Sequence, residues 1–349
     1  MGGVIDTTLF GLIHDYFKIH LPKRRNCSPH TIRAYKHTFE AFLDFVKMQK
    51  GIGLSAVTFE MLDGEILVKF LDSLEEAGCT ISTRNHRLNC IRAFYSYAAK
   101  ADPTTIIHKS RIFVVPLKKT NTSSSIKYMN EKATAAILAQ PDPLSKKGLR
   151  DRFIMLLMYD AAVRLSELVD IKLRDIRVSK TPVLIVQHGK GDKARDIPLM
   201  KQTVEHYMNY CKVFHYDEGN YSECPLFYTV RGSIKDSIES STVRKLITAY
   251  GKAAREQCRD VPEHVTPHMI RHSRAMHLYQ RGMDLTLLSQ WLGHAKLETT
   301  LIYAYADTEM KRKAIESAVP KNSPLINRLN SERYTVSDED TIKKLYGLK

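Results

Sequence analysis

The sequence predicts a mainly α-helical protein of two domains: a helical N-terminal domain, and an α-rich second domain carrying a small antiparallel sheet. Three observations predict it. Apolar residues recur three and four positions apart through both halves, which gathers them on one side of a helix. A β-branched run at 183–187, turn chemistry at 189–192 and a short run at 195–199 read instead as two strands of a hairpin. Between the halves, residues 106–126 mix Pro, Thr and Ser with the basic pair Lys118 and Lys119, and read as a linker. The expected boundaries are therefore 1–105, 106–126, 127–318 and a tail at 319–349, and no internal repeat is evident.

In order, Leu9, Leu12, Ile13, Tyr16 and Phe17 have helical spacing. Ser28 followed by Pro29 reads as an N-cap with proline at the first helical position. The helix it opens gathers Ile32, Tyr35, Phe39, Phe42, Leu43 and Val46 on one face. A further helix is expected at 63–77, stopped by Gly78. Ser82 reads as the cap of the next, which turns Leu88, Ile91, Phe94 and Tyr95 inward. Arg84, Arg87 and Arg92 lie on its other side, as a solvated face or as phosphate contacts. In the second domain Asn130 reads as a cap with Glu131 in the first turn, and helices are expected at 152–163, 165–171, 241–254, 267–282 and 285–292, the last ended by Gly293. Another is expected at 307–316. In the polar tail Ile342, Leu345, Tyr346 and Leu348 form a small apolar group, readable as a docking segment or as part of a disordered tail.

Composition narrows the partners. The chain has 349 residues, 53 basic against 38 acidic, a net charge of +15 and a pI of about 9.4. Lys and Arg release condensed counterions when they neutralise a polyanion, so nucleic acid leads, ahead of an anionic membrane surface or a protein that is simply basic. No apolar window is long enough for a membrane span, and the N-terminus lacks the basic start of a secretory signal. The six cysteines form no C-x-x-C pair, which argues for reduced thiols in a cytoplasmic protein and against structural zinc. No Gly-rich loop ending in G-K-S/T supports ATP dependence.

The chemistry concentrates at 266–305, where His268, Arg271, His294 and Tyr303 lie close together. A guanidinium clamps phosphate through its fork of donors. A phenol can attack phosphorus and hold it as an ester, and histidine moves protons near neutral pH. His264, His268 and His272 recur every four residues and would form a zinc pattern on a continuous helix. Pro267 pulls His264 out of line, however, and Arg271 would set a fixed positive charge beside the metal.

These residues resemble the C-terminal signature of the tyrosine recombinases, the phage integrases and Xer-type site-specific recombinases. The matching pieces are H-x-x-R at His268 and Arg271, L-G-H at 292–294, and Tyr303 nine positions after His294. Upstream, A-V-R-L-S-E-L at 162–168 resembles the family's first arginine motif, and G-K-G-D-K-A-R at 189–195 its lysine hairpin. The segments at 27–35 and 82–88 resemble its helical, SAM-like core-binding domain. The resemblance implies a two-domain grip on double-stranded DNA and a homo-tetramer in the synaptic complex, with no cofactor. It implies cleavage through a 3′-phosphotyrosine and a Holliday junction. Arg164 and Arg271 would clamp the phosphate, His268 and His294 assist, Lys190 act as general acid and Glu167 support them. Lys193 and Arg195 would substitute for Lys190 or hold phosphate. Arg33, Arg84, Arg87, Arg92, Lys118 and Lys119 would contact DNA. A related transposase or resolvase of a mobile element, or a non-catalytic DNA-binding protein, are the alternatives.

Overall fold

The computed structural model describes residues 7–120, 126–187, 194–219, 221–294, 296–306, 312, 315 and 339–347. The chain divides into two compact units, Met1–Ser124 and Ser125–Lys349.

The first unit is helical. α1 (Thr7–Asp15) runs into a π-helical stretch, Tyr16–Arg24. α2 (Pro29–Lys50) starts as its sequence predicts, Thr31 N donating to Ser28 Oγ at 3.2 Å, and stops at the left-handed Gly51. α3 (Gly64–Glu76) is capped by Asp63. α4 (Ile81–Ala101) is capped by Thr80 rather than Ser82, Thr83 N donating to Thr80 Oγ1 at 3.2 Å. Gly78, with φ 81°, turns the chain so soon after α3 that Thr80 is already in place to cap. The core is aromatic: Phe94 meets Phe39 and Tyr16 edge-on, with ring centroids 4.6 and 5.4 Å apart. Such pairs contribute about 0.5–1.5 kcal/mol beyond the area they bury.

The expected linker is partly folded. Residues Ile106–Phe113 form α5, which packs on α4 and buries Ile112, with Val115 buried just beyond it. Arg92 Nη2 donates to the carbonyls of Phe113 (3.1 Å) and Val115, and Arg84 Nη1 to that of Pro116 (3.2 Å). Asn85 pairs with the backbone of Lys118 in both directions. The polar side of α4 thus holds the segment that leaves α5. Ile106 and Ile107 are exposed, so α5 has no apolar stripe by which its sequence could reveal a helix.

In the second unit Asn130 caps α6 (Glu131–Leu138) and Ser145 caps α7 (Lys146–Asp160), whose Phe153, Ile154 and Leu157 lie in the core. α8 (Leu165–Asp170) leads to an antiparallel sheet of β1 (Ile176–Arg177), β2 (Val183–Val186) and β3 (Arg195–Pro198), in that spatial order. Leu184 pairs with Ile197 and Val186 with Arg195, so Leu184, Val186 and Ile197 point inward while their neighbours do not. α9 (Lys201–Phe214) and the hairpin β4 (Tyr228–Arg231)–β5 (Ile234–Ser237) follow, neither predicted from the sequence. Then come α10 (Ser240–Gln257), α11 (Pro267–Gln280), α12 (Leu285–Leu292) and α13 (Leu301–Ala306). A separate buried cluster joins Ala162, Ala275, Met276, Leu288, Leu292 and Tyr303. The helix expected at 307–316 falls almost wholly outside the described residues, and Glu339–Leu345 is helical. Among the described residues no helix is long and apolar enough to cross a membrane, and all six cysteines are free thiols.

Candidate active site

α11 supplies three of the site's side chains. Thr266 caps it and Pro267 opens it, so the helix begins after His264. His268, Arg271 and His272, three and four positions apart, share one face. The rings of His268 and His272 pack edge to face with centroids 4.3 Å apart. Among the described residues no group of three His, Cys, Asp or Glu side chains is placed to hold a metal ion.

The end of α12 organises the rest. Gly293 caps it at φ 65°, a left-handed conformation that suits glycine, and a Cβ there would meet Arg195 Nη1 at 2.8 Å. A helix end leaves its last carbonyls without partners and with partial negative charge. Here three arginines satisfy three consecutive carbonyls. Arg195 Nε donates to Trp291 O (3.1 Å), Arg271 Nη2 to Leu292 O (2.6 Å) and Arg164 Nη2 to Gly293 O (2.9 Å). Arg271 is 2% exposed and also donates to the carbonyl of Ala162, a non-glycine residue at φ 44°. The first position of the first arginine motif, Ala162, therefore carries backbone strain.

One carboxylate answers these cations. Glu167 accepts from Arg164 Nη1 (2.6 Å), from the Arg164 backbone N–H (2.8 Å), and from Arg195 Nη1 and Nη2 (3.1 and 2.7 Å). Burial alone would raise its carboxyl. The hydrogen bonds from Arg195 and Arg164 outweigh burial and hold it at about 2. Arg164, Arg195 and Arg271 less Glu167 leave two positive charges in the cluster. Arg164, His268 and Arg271 line a cavity of about 350 Å³, with Arg244 and Thr248 of α10 across it.

Burial, with the surplus charge beside it, sets the protonation of the neighbours. Burial, then Arg271, Arg164 and Arg195, lowers His294 to about 4. Burial, then His268, Arg271 and His294, lowers His272 to about 4, and burial with Arg271 and Arg164 also lowers His268. The ring of His294 is oriented by Thr300, Nδ1 to Oγ1 2.8 Å. Tyr303, on α13, is fully buried and its hydroxyl lies 2.8 Å from His272 Nδ1. Burial raises the phenol to about 12, opposed by Arg271 and Arg164. Tyr305 is 72% exposed.

Arg164, Glu167, Arg271, His268, His294 and Tyr303 thus come together, while Lys190 and Lys193 lie outside the described residues. Several of these side chains have partners that the sequence did not show. Arg195 is tied to Glu167 and Trp291. Arg84 is 3% exposed, paired with Glu75 (3.1 Å), and its place on α4 serves the fold; Arg92 likewise holds backbone. The Tyr303 hydroxyl is bonded by His272, to which the sequence assigned no catalytic role. His272 was visible in the sequence only as part of a metal pattern. Its position directly after Arg271, one turn from His268, was the available signal. In the first unit Arg33 and Lys119 remain exposed, Arg87 half-buried, and Lys118 pairs with Glu75 (2.7 Å).

A helical unit is thus followed by an α-rich unit that gathers arginines, histidines and a tyrosine around one helix end. Residues 127–310 match the phage integrase family, and residues 15–102 match the phage integrase N-terminal SAM-like domain. The chain is 31% identical to the integrase/recombinase-type protein y4rC of Sinorhizobium fredii, over 95% of this chain and 96% of that one. It is 31% identical to the tyrosine recombinase XerA of Pyrococcus horikoshii over 83% and 88% of the two chains. Among solved structures, a XerH site-specific recombinase bound to palindromic difH substrate shares the fold at TM-score 0.63 and 20% identity, over 90% of each chain. The Tn1549 transposon integrase with a circular intermediate DNA does so at TM-score 0.66 and 16% identity, over 86% and 98%. The chain belongs to the phage integrase family and is a tyrosine recombinase.

Proposed function

We propose that this chain recombines double-stranded DNA at specific sites, with Tyr303 as the nucleophile that links protein to DNA. The observation that carries this reading is the buried Tyr303 hydroxyl, held by an imidazole beside the helix end where Arg164, Arg271 and His294 converge. Phosphoryl transfer concentrates negative charge on the non-bridging oxygens, and fixed cations stabilise it without having to reorganise. Arg164 and Arg271 act as that clamp, with His268 and His294 as neutral hydrogen-bond donors. With Nδ1 of His294 bonded to Thr300 (2.8 Å), Nε2 is the ring nitrogen that serves phosphate.

Tyr303 takes the 3′ phosphate and Lys190 protonates the departing 5′ oxygen. A 5′ hydroxyl from the partner strand then attacks the ester, and the paired exchanges pass through a Holliday junction. The bond energy stays in the protein–DNA ester, so the reaction draws on neither ATP nor a metal. Four protomers act on two sites, and the apolar residues of the tail (Leu345 and Tyr346 are exposed) dock on a neighbour. Arg33, Arg87 and Lys119 of the first unit contact phosphates.

Tyr303→Phe keeps the ring and removes the hydroxyl. It is expected to bind the recombination site but leave no covalent adduct on a denaturing gel, while Tyr305→Phe still forms one. The reverse pattern would overturn the assignment.

A further inference from the structure

The three histidines around Tyr303 have different partners. His268 lines the cavity with Arg164 and Arg271, and His294 is bonded to Thr300. His272 bonds the Tyr303 hydroxyl, Nδ1 to Oη 2.8 Å, and Tyr303 is 0% exposed. A phenol loses its proton as its oxygen bonds to phosphorus. At a hydroxyl shielded from water, a side chain already in contact is the natural acceptor.

We propose that His272 is a further catalytic residue, the group that takes the Tyr303 proton during strand cleavage, an inference that rests on the reading of Tyr303 as nucleophile. The imidazole is suited to it. His268 and Arg271 from its own helix, His294 from the end of α12 and Tyr303 from α13 surround it. Burial and the cationic neighbours keep it neutral, hence able to accept, at physiological pH. A weak base suffices, because the phenol proton becomes strongly acidic once the oxygen–phosphorus bond is forming. The step balances: the Tyr303 O–H bond breaks and its electron pair goes to the tyrosine oxygen, which bonds to phosphorus. The bond from phosphorus to the 5′ oxygen breaks, His272 Nδ1 receives the phenol proton, and Lys190 supplies one to the leaving oxygen. On rejoining, Lys190 takes back the proton of the attacking 5′ hydroxyl and His272 returns its proton to the departing tyrosine oxygen.

The test uses His272→Asn, whose amide oxygen can occupy the place of Nδ1 and accept a hydrogen bond but cannot carry off a proton. Formation of the covalent adduct on a nicked site is followed under single-turnover conditions across pH, with affinity for the same DNA measured in parallel. The expected result is a loss of about 10²-fold or more at neutral pH, with DNA affinity retained, and a rate that climbs about tenfold per pH unit as hydroxide replaces the base. In His272→Ala, added imidazole is expected to restore part of the rate. If His272→Asn stays within about threefold of the parent, the inference is wrong. It is equally wrong if the variant slows but keeps the parent's pH profile and imidazole restores nothing in His272→Ala. An adduct at Tyr303 with an unimpaired His272→Asn variant sinks this inference alone. No adduct from the unaltered protein sinks the nucleophile reading and this one with it.

Discussion

Arginines satisfy backbone carbonyls in both units, with different consequences. On α4, Arg84 and Arg92 hold the carbonyls of Phe113, Val115 and Pro116, and Arg84 is buried against Glu75. At the end of α12, Arg164, Arg195 and Arg271 hold three consecutive carbonyls, but among the described residues Glu167 is the one carboxylate bonded to them, and Arg164 and Arg271 also line an open cavity. In the first place Arg84 shares Glu75 with Lys118, and both arginines are tied to the chain that leaves α5. In the second, positive charge is left over beside a space that a phosphate group fits. What an arginine does follows from the acceptors gathered round it, more than from the helix face it occupies.

The strongest challenge to that contrast compares Arg164→Lys and Arg271→Lys with Arg92→Lys. Lysine keeps the charge and loses the fork. The first two are expected to lower cleavage by about 10²–10³-fold, the usual consequence of removing a preorganised donor. Arg92→Lys is expected to leave the cleavage rate of bound protein unchanged and to lower only the melting temperature. A comparable cleavage defect in Arg92→Lys would erase the distinction.

Arg195→Ala sharpens it. This side chain touches Glu167 and backbone, so its loss should act through the position of Arg164. Cleavage is expected to fall about ten- to a hundredfold, the usual range for a residue that orients another. The dependence of DNA binding on salt should not change. A slope shallower by about one would mean that Arg195 neutralises a phosphate directly.

Smaller effects are expected at two backbone positions, with opposite signs. Gly293→Ala places a Cβ against Arg195 at a left-handed φ and is expected to cost about 1–3 kcal/mol. Ala162→Gly relieves φ 44° and should be neutral or stabilising by up to about 1 kcal/mol. Denaturant titration of both variants reads the difference, and equal signs would contradict the strain at Ala162.

pH tests the burial of two histidines beside the cationic cluster. His272 and His294 ordinarily titrate at 6.5 and are held at about 4 in the folded unit. Between those values the unfolded chain binds protons that the folded one refuses, so stability should fall as pH drops from 6.5 toward 4. These two groups add no slope above or below that window. Melting temperatures across the window should show the decline, reduced in His272→Phe; an undiminished decline in that variant would place its source elsewhere.

Much of the site was legible before any coordinates. Thr266, Pro267 and the spacing of His268 and Arg271 define one helix face, and Gly293 marks its own turn. The caps at Ser28 and Asn130 were readable because a polar side chain three residues before a helical amide acts locally. What escaped depends on contacts distant in sequence. Arg195 meets Trp291 and Glu167, Arg84 meets Pro116, and His272 meets Tyr303 across 31 positions. Residue type offers both a phosphate contact and a structural contact, and only the packed chain chooses between them. α5 escaped for a simpler reason: its burial rests on Ile112, too little to make a periodic stripe.

The central claim is that the charged end of α12 and the buried phenol beside it form one strand-cleaving site. Its most direct measurement traps the full-length protein on a nicked duplex, digests the denatured complex and sequences the peptide that stays joined to DNA. The account predicts a 3′-phosphate ester on Tyr303. A link through Tyr305 or any other residue, or no link at all from a protein that binds the site, would contradict it.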